Sequence, residues 1–108
     1  KQNDVPTIAG FNQDEGTALA PAPATFTAEG YQKQVRQRYG ALADEFFALY
    51  PAQSEEDAKK AYYASYTHSG MGLGMRTWVR AQANSGKAPA YYYYFQRVPA
   101  GPAGAKYG

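Results

Sequence analysis

The chain is predicted to be an α/β protein, mostly helical, in the order strand, four helices, strand, with its two strands parallel. Three observations carry that expectation. A short β-branched run, Val5 to Gly10, precedes the helical region, and an aromatic run, Ala90 to Val98, follows it. Between them lie four segments with apolar residues at helical spacing, bounded by cap residues, glycines and prolines. Strands bracketing that much helix are joined by a crossover, which makes them parallel and right-handed, with helices on one face.

Residues 5–10 read as a short buried strand, and Pro6 is tolerable near its beginning. Residues 17–26 read as a small-residue loop in which Pro21 and Pro23 block helix continuation. Thr27 suits an N-cap, with Glu29 in the first turn complementing the helix dipole. That helix carries Tyr31, Val35, Arg38 and Tyr39 on one side and ends at Gly40. A second helical run, 41–49, puts Leu42, Phe46 and Leu49 on one face. Phe47 and Tyr50 widen the stripe, and Tyr50-Pro51 stops it.

Ser54-Glu55-Glu56-Asp57 is the clearest helix start: a serine that accepts from the N3 amide, with three acids at the positive end of the dipole. The helix runs to about Thr67, with Ala58, Ala61, Tyr62 and Ser65 on one side. Ser69 to Gly74, with glycines at 70, 72 and 74, reads as a joint between helices. It is not a dinucleotide fingerprint, because a helix rather than a strand precedes it. The last helical pattern runs through Asn84 with Met75, Trp78, Val79 and Gln82 on its apolar side, and Ser85-Gly86 closes it. Met75 and Trp78 are expected in the core. Ala88-Pro89 starts strand 90–98 and Pro99-Ala100-Gly101-Pro102 ends it. Tyr91 to Phe95 is apolar on both faces, which places it in the middle of a covered sheet. Two parallel strands alone are marginal in water, so neighbours are expected.

With 11 basic and 9 acidic residues the net charge is +2, and only Lys59-Lys60 are adjacent. That balance excludes an electrostatic nucleic-acid binder, and Lys59-Lys60 reads as a solvated face. The absence of cysteine excludes disulfides and thiolate metal sites, and a single histidine excludes a His-rich metal site. No cofactor or metal is expected. No apolar run approaches a membrane span and no signal peptide opens the sequence, so the chain is expected to be soluble. A secreted or periplasmic place is compatible with this; the compartment stays open. The start at Lys1 and the stop at Ala105-Lys106-Tyr107-Gly108 read as cut ends. Eleven tyrosines suit a piece that buries surface against something larger.

The most informative stretch is Val5 to Ala18, where a strand ends at a glycine and a tight polar turn presents two adjacent carboxylates, Asp14 and Glu15. Open α/β sheets collect functional groups just past strand carboxyl ends. By spacing alone, Asp14-Glu15-Gly16 reads as a turn or helix cap. Three motifs in order add to it: Gly10-x-Asn12-x-Asp14-Glu15-Gly16, Leu49-Tyr50-Pro51 closing a helix, and Ala88-Pro89-Ala90-Tyr91 leading into the aromatic strand. Together they resemble the type-B carboxylesterases and cholinesterases, of α/β-hydrolase fold, over nearly the whole chain.

The resemblance implies that residues 1–108 are a partial α/β-hydrolase domain and that Glu15 is the acid of a Ser–His–Glu triad. The triad histidine would follow the aromatic strand just past Gly108, and the serine elbow would lie well before Lys1. The chain alone would then be inactive. Asp14 is read as the turn former, its side chain capping local amides, and Gly10 and Gly16 as permitting the close turn. Ala18 and Leu19 fall where cholinesterases place aromatic residues along the substrate gorge, so they are candidate substrate-binding positions. Small aliphatic residues there argue against choline esters and for uncharged carboxylic esters. His68 does not match the family's histidine position and reads as a surface or cap residue. The expected partners are a small-molecule ester in the parent enzyme, and the remainder of that enzyme or a second copy of this chain. A different function class stays open: a stand-alone helical interaction or carbohydrate-binding module using exposed tyrosines.

Overall fold

A computed structural model describes residues 3–22, 26–98 and 100–101. The expected breakers Pro23, Pro99 and Pro102, and the stretch 105–108, lie outside the described residues. Two parallel strands, β1 (Thr7–Asn12) and β2 (Ala90–Phe95), form one sheet. The helices between them are α1 (Glu15–Leu19), α2 (Ala28–Tyr39), α3 (Ala43–Leu49), α4 (Glu55–Thr67) and α5 (Leu73–Ser85). The chain folds as two units, residues 14–74 and residues 1–13 with 75–108.

The unit containing the strands starts its ladder two residues later than the sequence suggests. Val5 N–H closes a turn on the Asn3 carbonyl and Pro6 has no N–H, so the first rung is Thr7 N–H to Pro89 O at 3.0 Å. The last rung is Gln13 N–H to Phe95 O at 3.0 Å. The register puts Ile8, Gly10 and Asn12 on one face with Tyr91, Tyr93 and Phe95. The other face carries Ala9 and Phe11, both buried, and Phe11 packs on the Tyr92 and Tyr94 rings at 6.1 and 4.8 Å.

Burial therefore does not follow hydropathy: β1 buries Ala9, Gly10 and Phe11, and the aromatic β2 stays exposed. Val5 and Ile8, expected in a buried strand, are exposed, Ile8 by 71%. The five aromatic side chains of β2 are 41–59% exposed rather than enclosed in a covered sheet. Gly10 is buried opposite Tyr93, where a Cβ would collide with the Tyr93 carbonyl and ring.

The same unit ties its two sequence-distant parts together through polar groups. Asp4 Oδ1 accepts from the N–H groups of Lys87 and Ala88 at 2.9 and 2.8 Å. Gln82, buried in α5, donates its Nε2 to the carbonyls of Asn3 and Val5 at 2.8 and 3.4 Å, which satisfies an otherwise costly buried amide. Val79 is the other buried residue of α5 in this unit. Trp78, expected in the core, is 44% exposed and Met75 only half-buried, because the buried stripe of α5 is narrow and Trp78 lies beside it.

In the helical unit, caps fall where the sequence places them. Thr27 Oγ1 accepts from Gly30 N–H, and α2 ends at Gly40, whose φ of 53° a glycine adopts without strain. Ser54 and Asp57 form a reciprocal capping box at the start of α4. The core is Tyr31, Val35, Ala43, Ala52, Ala58 and Ala61, with Phe26, Phe46 and Tyr62 among the rings packed on it. α2 packs against α3 and α4, and α1 against α4. Lys59 and Lys60 are exposed, and Lys60 pairs with Glu56 one turn back at 2.7 Å.

One expectation fails here because of a local change of helical pitch. Residues 40–42 form a 3-10 turn, which advances fewer residues per turn than an α-helix and shifts the phase of α3. Leu42 and Leu49 therefore face solvent, at 58% and 76% exposure, and Ala43 and Phe46 take the inner side. The expected joint between helices at Ser69–Gly74 falls between α4 and α5 and takes the form of a π-helical turn, His68–Gly72.

Candidate functional site

The expected tight turn falls at Gln13 and Asp14, and the backbone then enters α1, which takes residues 17–19 from the expected loop. Asp14 occupies the N-cap position of α1, but its side chain makes no capping bond. Its carbonyl takes that role, accepting from Thr17 N–H at 3.0 Å and Thr17 Oγ1 at 2.7 Å. This corrects the expected role of the Asp14 carboxylate. The difference comes from Thr17, whose hydroxyl and amide both lie one turn ahead of the Asp14 carbonyl.

Glu15 is the first residue of α1, half-buried, with its Oε2 shielded from solvent. A carboxylate at the amino end of a helix sits at the favourable pole of the peptide dipoles. Gly16 is next, buried against α4. Its N–H donates to Thr67 Oγ1 at 2.7 Å, and Thr67 Oγ1 donates to the Tyr63 carbonyl at 3.0 Å. A Cβ on residue 16 would collide with the Tyr63 carbonyl and come within 2.7 Å of Thr67 Oγ1. Gly16 is thus required by close approach of backbone to helix, not by a turn conformation, since its φ is ordinary.

Thr67 is 1% exposed and is the side chain that holds α1 to α4. Nothing in the sequence marked it, because a threonine in the last turn of a helix is ordinary until its partner is known. Ala18 and Leu19, the candidate substrate-binding positions, both lie in α1 and are exposed. After α1 the chain is held by Tyr62, whose hydroxyl donates to the Pro21 carbonyl at 2.8 Å.

His68 is exposed, as a surface histidine should be, and its Nδ1 lies 2.9 Å from the Tyr50 hydroxyl. Tyr50 also packs on Phe46 at 4.9 Å, and burial pushes its phenol pKa up. The pair joins Tyr50 of the Leu49-Tyr50-Pro51 motif to the start of the π-helical turn. The Tyr31 phenol is likewise raised, mainly by burial, with the neighbouring Ser65 hydroxyl pulling the other way.

An open groove of about 350 Å³ runs between α2 and the chain around Pro51, with Arg36 and Phe47 on its walls. Arg36 lies 5.3 Å over the Phe47 ring and 3.2 Å from Asp44, so its charge is already engaged. Among the described residues no His, Cys, Asp or Glu cluster is placed to hold a metal ion, and no helix is long and apolar enough to cross a membrane. Compared with known proteins, the chain matches no family model, no curated protein and no solved structure.

Proposed function

We propose that this chain is part of a serine carboxylesterase of α/β-hydrolase fold, in which Glu15 is the acid of a Ser–His–Glu triad. The observation that carries the reading is the setting of Glu15. It comes three residues after the end of a parallel strand, begins a helix, has one carboxylate oxygen shielded from water, and precedes a glycine locked onto Thr67. A triad acid needs that combination of fixed position and partial burial, because its work is orientation and charge stabilisation. The motifs of the sequence support it independently.

The chemistry is that of the triad. Glu15 accepts a hydrogen bond from Nδ1–H of a histidine supplied by polypeptide outside this chain and fixes that ring's tautomer. It then stabilises the imidazolium formed when the ring takes the proton of the serine nucleophile. The serine oxygen attacks the ester carbonyl, the alcohol leaves with the proton from the imidazolium, and water hydrolyses the acyl-enzyme by the same route. Ala18 and Leu19 offer no aromatic face to a quaternary ammonium, which favours uncharged esters. His68 is read as lying outside the triad, because its position does not match the family's histidine; the 2.9 Å contact of its Nδ1 with the Tyr50 hydroxyl supports this.

The exposed aromatic side chains of β2 favour a second reading, a stand-alone interaction or carbohydrate-binding module. Kinetics separates the two. The 108-residue chain alone is expected to leave short-chain p-nitrophenyl esters untouched. In an enzyme carrying this segment, Glu15→Gln is expected to lower turnover by about 10³–10⁴, and Asp14→Asn by less than about tenfold. Equal losses at the two positions would remove Glu15 from the triad. Activity of the isolated chain that Glu15→Gln abolishes would overturn the partial-domain reading.

A further inference from the structure

We propose that the sheet face carrying Tyr91, Tyr93 and Phe95 binds single-stranded nucleic acid, the three rings stacking on successive bases while cations of the same unit meet the phosphates. This concerns the strand unit alone and does not rest on the esterase reading.

The net charge of +2, which over the whole chain argues against a polyanionic partner, is the sum of two opposite values. Residues 14–74 hold eight acids and five bases, a net charge of −3. Residues 1–13 with 75–108 hold six bases and one acid, a net charge of +5. That acid is Asp4, and its Oδ1 already accepts from the Lys87 and Ala88 amides. Arg76, Arg80, Lys87 and Arg97 are exposed, and none of their side chains forms an ion pair among the described residues. Two of them bracket the rings along the chain, Lys87 three residues before β2 and Arg97 two residues after it.

The rings supply what bases need. Alternate residues of a strand share a face, so Tyr91, Tyr93 and Phe95 form one row. They are 43–59% exposed, so a ligand can reach them. Tyr93 lies over Gly10, where the absent side chain leaves the ring room against the sheet.

The pitch of the row selects the form of the polymer. Alternate residues of a strand stand about 6.6 Å apart, roughly twice the 3.4 Å between successive nucleotides of a duplex strand. A row of that pitch takes bases from an extended single strand. A duplex, whose bases are already stacked on one another, offers it none. Every base has a π-face, so binding is tolerant of sequence. A neutral sugar could stack on the same rings but would draw nothing from the surplus of +5. The charge therefore decides for the polynucleotide.

Fluorescence anisotropy of a labelled oligothymidylate of about twelve nucleotides, titrated with the 108-residue chain, tests this. A dissociation constant of about 1–100 μM is expected near physiological salt, in the range of sequence-independent binding. A duplex and an abasic strand of the same length should each bind at least about tenfold more weakly. The logarithm of the affinity should fall with the logarithm of salt at a slope of about −1.4 to −2.8, as for two to four phosphates, and Arg97→Gln should flatten it by about 0.7. Tyr91→Leu keeps apolar bulk at an exposed position and removes the ring. It should weaken binding at least about fivefold and leave the salt slope unchanged. The wild-type titrations need no variant to fold. No binding of oligothymidylate, equal binding of the duplex or the abasic strand, or indifference to Tyr91→Leu would overturn the proposal. So would binding of a neutral cello-oligosaccharide in place of the oligonucleotide.

Discussion

Where α1 meets α4 the contact is made by a backbone amide and a hydroxyl, with no room for a side chain on residue 16. Thr67→Val keeps the shape but leaves the Gly16 N–H buried without its acceptor. A buried donor stripped of its partner costs about 1–3 kcal/mol, and urea unfolding should show a loss in that range. Gly16→Ala should cost about 3 kcal/mol, since the Tyr63 carbonyl belongs to a helix that cannot step aside. Losses below about 0.5 kcal/mol at both positions would mean that α1 is not anchored there. In the proposed enzyme the same changes would displace Glu15, the residue next to the anchor. Gly16 stood out in the sequence, but the reason for it did not. Its need comes from Thr67, 51 residues away, and a contact at that separation leaves no local trace.

At the scale of elements, what was legible was what is locally determined. Thr27, Gly40 and Ser54 act at helix ends within a few residues of themselves, so pattern alone located α2 and α4. Ser54→Ala removes the acceptor for Asp57 N–H and half of the reciprocal box. It should cost about 1 kcal/mol, seen as a drop of roughly 4–8 °C in melting temperature, with Ser54→Asp restoring most of it. A melting point unmoved by Ser54→Ala would show that packing of Ala58 and Ala61 alone holds α4. The phase of α3 was illegible because a 3-10 turn lies between it and the last secure landmark, Gly40. The strands were located within three residues, but their burial was misjudged. A run of tyrosines says that two faces are apolar, and what covers them is decided by other segments. The setting of Glu15 was partly readable: its place after a strand was expected, and a helix cap was one of the two readings its spacing allowed.

For the molecule as a whole, the two strands come from opposite ends of the described chain, and closing so large a loop costs entropy that something must offset. Asp4 is placed to help, since one carboxylate oxygen receives the Lys87 and Ala88 amides just before β2. Those two hydrogen bonds, Ala88 first and Lys87 second, hold the Asp4 pKa below its ordinary 3.8, outweighing a small opposing effect of burial. A carboxylate whose folded pKa is depressed binds fewer protons in the folded state than in the unfolded one. Its stabilisation is therefore complete above the unfolded value of 3.8 and is lost as pH falls through the lower folded value. Asp4→Ala should be less stable than wild type at pH 7, and the gap should narrow as pH falls below about 4. Urea midpoints measured from pH 7 to pH 2.5 on both proteins check this through their difference, in which the other carboxylates cancel. A gap that stays constant down to pH 2.5 would show that the Asp4 charge contributes nothing and that the contact is held by its geometry alone. A gap that widens in acid would contradict the depressed pKa itself.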